Sequence, residues 1–156
     1  MKNQALCGNF IITMVFVIIA LALGGLWLSV YIYRTKLAEK PLVCPLDGSC
    51  DFVVHSGYSI IFGIPVEILG IFYYSSIAFL HVAVLFAPAD FYQFIVLVEV
   101  ALSALGFLLS LYFTWLQLGV IKRWCTLCIG SALICMMIFI LSLYVFWPVV
   151  SQFMNL

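Results

Sequence analysis

Charge is what this chain has least of: 156 residues carry six basic and six acidic side chains, which cancel. With charged residues at 8% and hydrophobic ones at 67%, the polar surface needed to wrap a water-soluble core is missing. That excludes a soluble globular domain and, at a mean hydropathy of +1.31, leaves an integral membrane protein that meets lipid. Zero net charge and the lack of any long basic run leave no footprint for nucleic acid, so that partner class is dropped. Internal repeats, low-complexity stretches and a separate polar domain are also lacking, so residues 1–156 read as one domain.

Cysteine, by contrast, is plentiful. Six occur, at positions 7, 44, 50, 125, 128 and 135, and four of them form two pairs close to loops. The more telling pair lies in Trp124-Cys125-Thr126-Leu127-Cys128, at the head of a long apolar run. A helix beginning near Trp124 sets Cys125 and Cys128 one turn apart on one face. Its free amides and positive dipole end, with Lys122 and Arg123 beside them, favour a thiolate. Such a pair can cycle between dithiol and disulfide; half of a zinc site, or two buried apolar cysteines, is the alternative reading.

Residues from Phe10 to Tyr33 are uncharged, enough at 1.5 Å per residue to cross a hydrocarbon layer of roughly 30 Å, with Trp27, Tyr31 and Tyr33 as interfacial anchors. Ala20-Leu21-Ala22 resembles a signal-peptide cleavage site, but the run continues past it and reads as a retained helix. Arg34 to Asp51 holds six charges together with Pro41, Pro45 and Gly48. It reads as a bent, mobile loop able to carry Cys44 and Cys50 between partners. Phe52 to Ile64 is too short and glycine-rich to span, and is expected to be a short helix across the bundle mouth. Pro65 and Glu67 suit the first turn of a second span that ends at a tight turn around Pro88. Ala101, Ser103, Gly106 and Ser110 offer close helix contacts in a third. The expected fold is an all-α four-transmembrane-helix bundle with a short helix in the first long loop and spans of about 10–33, 67–87, 91–118 and 127–149. Counting spans brings both cysteine pairs to one side of the membrane.

Cys44 and Cys50, Ser56 in HSGYSIIFGIP, the stretch from Pro65 to Gly70 and the CTLC that opens the last span together resemble the vitamin K epoxide reductase family. The resemblance implies a four-helix bundle around a quinone of ubiquinone or menaquinone type. By it, Cys128 is the quinone-reactive thiol and Cys125 its partner, Cys44 and Cys50 are the shuttle pair, and Ser56 lies near the quinone head. It further implies a thiol oxidoreductase that oxidises a thioredoxin-fold protein in support of disulfide formation. Some members of the family carry a fused thioredoxin-like domain; this chain stops at Leu156, so the partner is expected to be a separate protein. Depth agrees, since Cys128 lies one turn, about 4.5 Å, further along an inward-running helix than Cys125.

Other side chains bear on the same site. Tyr58, Phe72 and Tyr112, with Tyr73 and Tyr74, are candidates to line a quinone pocket, against simple packing. Cys135 and Cys7 read as small apolar core residues. His55 is a candidate proton donor or a plain surface histidine, and His81 reads as structural. Glu99 is a functional intramembrane carboxylate or a hydrogen-bonding group near the interface. Arg34, Lys36, Lys40, Lys122 and Arg123 on the cysteine side, against Lys2 on the other, would put the thiols in the cytoplasm by the positive-inside rule. Disulfide exchange favours the extracytoplasmic side, which is the expectation adopted for this inner-membrane protein. Two alternatives to the dithiol oxidase stand: a non-enzymatic four-cysteine zinc site, and a quinone or epoxide reductase whose main product is the hydroquinone. The unrelated Dsb-type oxidases place their CxxC early and the spaced pair late, the reverse of the order here.

Overall fold

The computed structural model describes residues 2–44, 49–61, 63–86 and 88–154, with side chains described within 12–147 apart from 89 and 90. Pro45, Gly48 and Ala87, and the side chain of Cys7, to which expectations above were attached, lie outside the described residues. Helix α1, Lys2–Leu37, runs unbroken through Ala20-Leu21-Ala22. It extends beyond the expected Tyr33, because Arg34 and Lys36 in its last turn complement the negative dipole end. Glu39, in the left-handed region at φ 51°, closes it. The Lys40 amide returns to the Thr35 carbonyl and the Glu39 amide to Lys36, the paired bonds that satisfy a helix end.

The expected mouth helix is shorter and earlier than the sequence indicated. Helix α2 is Cys50–Val54, followed by a 3-10 turn, Gly57–Ser59, and a hairpin of β1, Ile60–Ile61, with β2, Ile64–Pro65. The strands pair antiparallel, Ile60 opposite Pro65 and Ile61 opposite Ile64. Two physical causes end the helix. Branched isoleucines favour the extended backbone, and Gly63 supplies the φ of +83° that the hairpin turn requires. Pro65 therefore closes a strand instead of sitting in a helix turn, and α3, Val66–Phe86, begins one residue later with Glu67 at its positive end.

Helix α4, Ala89–Leu116, does not stop at Leu118 but runs on as a π-turn, Gln117–Ile121, which Lys122 terminates at φ 53°. Helix α5 is Thr126–Met154. Four stretches, Ile12–Leu37, Val66–Phe86, Phe91–Ile121 and Thr126–Trp147, are long and apolar enough to cross a membrane. Helix α1 packs on α3 and α5, and α4 packs on α5 and α3, closing a four-helix bundle. Its core is Ile18, Ala22, Tyr74, Ile77, Cys135, Ile138 and Val145. Outward, Trp27 and Trp147 are 69% and 70% exposed and Phe79 72%, a surface stable only against lipid. Of the small residues noted on α4, Ser103 is fully buried. Gly106 is the closest approach, since a Cβ there would overlap the Tyr73 ring of α3. Ala101 faces outward.

Candidate redox site at the mouth of the bundle

Helix α5 starts one residue after Cys125, not before it, so Cys125 is the residue that caps the helix. Its sulfur accepts the Cys128 amide at 3.2 Å, filling one of the free donors of the first turn. Cys125 and Cys128 form a disulfide with Cα atoms 5.2 Å apart. Cys44 and Cys50 form a second, 5.7 Å between Cα atoms, in which the Cys44 sulfur accepts the Cys50 amide at 3.1 Å. In both pairs the amide that meets the sulfur would stabilise a thiolate once the bond is reduced.

The two pairs share one buried cluster with Ile32, Leu42, Val53 and Val54. The loop is fastened there by the Ser49 amide on the Trp124 carbonyl at 2.9 Å and by the Leu42 amide on Asp51 Oδ1 at 3.1 Å. Arg123 lies over the Phe52 ring, 5.8 Å from its centre. Burial grades across the four sulfurs. Cys50 and Cys125 are 1% and 0% exposed, Cys44 is half-buried on the loop side, and Cys128 is half-buried on a cavity. Thr126 Oγ1, next to Cys125, stands 3.7 Å from the Cys50 sulfur.

The cavity beside Cys128 has a volume of about 370 Å³, of the size that takes a small planar ligand, and its walls are mostly apolar. Of the side chains named for a pocket, Ser56, Tyr58 and Phe72 line it. Tyr112 does not: it is 51% exposed and turned outward, while its neighbours Phe113 and Thr114 line the wall. Phe72 on α3 and Leu105 on α4 are cavity-lining and yet 69% and 56% exposed, so the wall they form also reaches the outer, lipid-facing surface. At the floor, the Tyr74 hydroxyl meets Ser131 Oγ at 2.8 Å and the Cys135 sulfur at 3.3 Å. Cys135 is thus a core residue and also part of the cavity base.

Tyr73, named among the pocket candidates, lines the wall with a buried hydroxyl that has no partner in good geometry. Two features escaped the sequence. Lys36 Nζ at the end of α1 pairs with Glu67 of α3 at 3.3 Å and donates to Ser59 at 2.9 Å, holding the rim of the cavity. Thr126 sits between the two pairs. Of these only Lys36 and Glu67 carried a signal, two opposite charges bordering the spans. His55 is exposed, 3.3 Å from Asp51 Oδ1, and does not line the cavity. Glu99 does not line the cavity. It is 2% exposed, accepts from Ser142 and lies 3.6 Å from His81 Nε2. Ile77 on α3 and Ile138 on α5, both fully buried, lie in sequence between that cluster and the cavity floor.

A family model described as the vitamin K epoxide reductase family matches residues 16–143, which include both cysteine pairs, the second and third spans, and all but the start of the first and the end of the fourth. The chain belongs to the vitamin K epoxide reductase family. Comparison with individually curated proteins gave no match. Membership in the vitamin K epoxide reductase family makes this an integral membrane oxidoreductase, of the quinone-linked disulfide type.

Proposed function

We propose that the protein oxidises the dithiol of a separate thioredoxin-fold partner and passes two electrons through Cys44–Cys50 and then Cys125–Cys128 to a membrane quinone. The observation that carries this reading is the graded burial. Two sulfurs sealed from solvent connect one on the loop side to one on an apolar cavity. A partner thiolate attacks Cys44 and displaces Cys50. The second partner thiol releases the partner as a disulfide and leaves Cys44 and Cys50 reduced. The Cys50 thiolate attacks Cys125 and frees Cys128 as a thiolate facing the cavity; Cys44 then resolves the Cys50–Cys125 bond. Closure of Cys125 on Cys128 resets the pair as the electrons leave.

The residues present suit a quinone head: a cavity of adequate size, apolar walls, and a buried hydroxyl without a partner. When bound, the quinone supplies a two-electron acceptor. Net direction follows the two potentials, at about 1.4 kcal/mol for each 30 mV. The four-cysteine zinc reading has less support, because four sulfurs joined as two disulfides offer no thiolate to an ion. The extracytoplasmic side for the thiols is favoured by disulfide chemistry. It is also favoured by Lys36, which Glu67 engages inside the protein, so that it weighs less in the positive-inside count.

Purified protein given a reduced thioredoxin-fold protein and a quinone is expected to form one hydroquinone per partner disulfide. Cys125→Ala and Cys128→Ala should abolish this and Cys7→Ala should not. Undiminished activity without the CxxC, or one zinc per chain in the purified protein, would overturn the reading.

A further inference from the structure

Several hydroxyls along the cavity are already engaged. Ser56 donates to the Val53 carbonyl at 2.7 Å, Ser59 accepts from Lys36, Thr114 donates to the Ser110 carbonyl at 2.8 Å, and Tyr74 is held by Ser131. Tyr73 differs from these. Among the described residues its hydroxyl is the buried side-chain polar atom with no hydrogen-bond partner, and it belongs to a residue of the cavity wall. The nearest candidate is the Cys135 sulfur, which lies within reach of a weak hydrogen bond from Tyr73 but falls short of good geometry, is already engaged by Tyr74, and as a thiol is a weak acceptor. The ring has little freedom to seek a partner elsewhere. It rests edge-on against Tyr74 with centroids 5.0 Å apart and lies directly over Gly106, where any side chain would collide with it.

A fixed donor withheld from water and left unmatched is costly to the free protein, and such a group in a binding site marks the place of a ligand acceptor. We propose that the Tyr73 hydroxyl donates a hydrogen bond to a carbonyl oxygen of the quinone head, positioning the ring against Cys128 and stabilising negative charge on that oxygen as electrons arrive; this rests on the quinone reading above. The balance is closed. Two electrons and two protons leave the Cys125–Cys128 dithiol, which becomes its disulfide, and the quinone takes them up as it becomes the hydroquinone. Tyr73 keeps its own proton and is not oxidised. The same bond explains why a tyrosine stands at a position where phenylalanine would pack equally well in an apolar wall.

The test uses the full-length oxidised protein in detergent with a short-chain ubiquinone analogue and no dithiol, so that binding is read without turnover. Quenching of tryptophan fluorescence gives the dissociation constant, and thermal unfolding with and without the quinone gives the midpoints. Tyr73→Phe is expected to raise the dissociation constant about three- to tenfold, the range of one neutral hydrogen bond. It should leave the quinone-free midpoint unchanged or higher, because an unmatched buried hydroxyl has gone. Tyr144→Phe, on an outward face, should match the wild type in both. Equal affinity in Tyr73→Phe overturns the inference. So does a fall in its quinone-free midpoint, which would show that the hydroxyl has a structural partner. A wild-type protein that binds no quinone overturns the quinone reading as well, and the two failures are thereby told apart.

Discussion

Cys50 and Cys125 sit in a cluster that excludes water, and this decides which mixed disulfide can be caught. Once Cys50 has attacked Cys125, Cys44 resolves the bond forward and Cys128 reverses it, and since no solvent thiol reaches it, loss of either closes one of its two exits. Cys44→Ser or Cys128→Ser is therefore expected to accumulate a Cys50–Cys125 disulfide, visible by non-reducing peptide mapping. If Cys50 is never linked to Cys125 in either variant, the relay order is wrong. The four sulfurs were legible in the sequence because spacing and loop position alone single them out. Which of the aromatic candidates would line the cavity, as Tyr73 does and Tyr112 does not, was not legible, for one physical reason: which way an aromatic side chain in an apolar helix faces is fixed by the rotation of that helix among its neighbours. Spans that are apolar all round carry too little asymmetry to fix that rotation.

At the scale of helices, α3, α4 and α5 are joined deep in the bundle by His81, Glu99 and Ser142. A carboxyl group held there without its partners would face hydrocarbon, and a histidine left behind by its loss would do the same. Breaking such a buried pair from one side costs about 3–5 kcal/mol. Glu99→Ala is accordingly expected to lower the unfolding midpoint of the detergent-solubilised protein by several degrees, whereas Glu99→Gln, which can still accept from Ser142, should lose less than half as much. Disulfide trapping in Cys128→Ser should persist in both backgrounds, since the cluster is remote from the thiols. The sequence marked Glu99 as unusual by its charge but could not say what it meets, because its partners come from two other helices. The short helix in the first loop was legible in kind only. Its end depended on the hairpin around Gly63, a pairing of two-residue strands too brief to leave a periodic signal.

For the molecule as a whole, fold class and number of spans followed from composition and run length, because a lipid solvent permits few alternatives to a helical bundle. Which side the thiols face did not, since charge asymmetry and disulfide chemistry pull in opposite directions. A membrane-impermeant maleimide, added to intact cells after mild reduction, is expected to modify Cys44, the half-buried member of its pair. Modification only after lysis would place the thiols in the cytoplasm.

On the function proposed above, a cavity whose wall at Phe72 and Leu105 reaches the lipid-facing surface would draw its quinone from the bilayer. A site entered from the bilayer does not sample the aqueous volume, so the relevant concentration is the number of quinones per lipid. Extra phospholipid then starves the protein as surely as removing quinone does, while diluting the suspension with buffer leaves acceptor supply unchanged. The thiol donor arrives by the opposite rule, counted per litre of water. Each turnover thus joins a two-dimensional pool to a three-dimensional one, and the slower supply shifts from one to the other as membrane area grows.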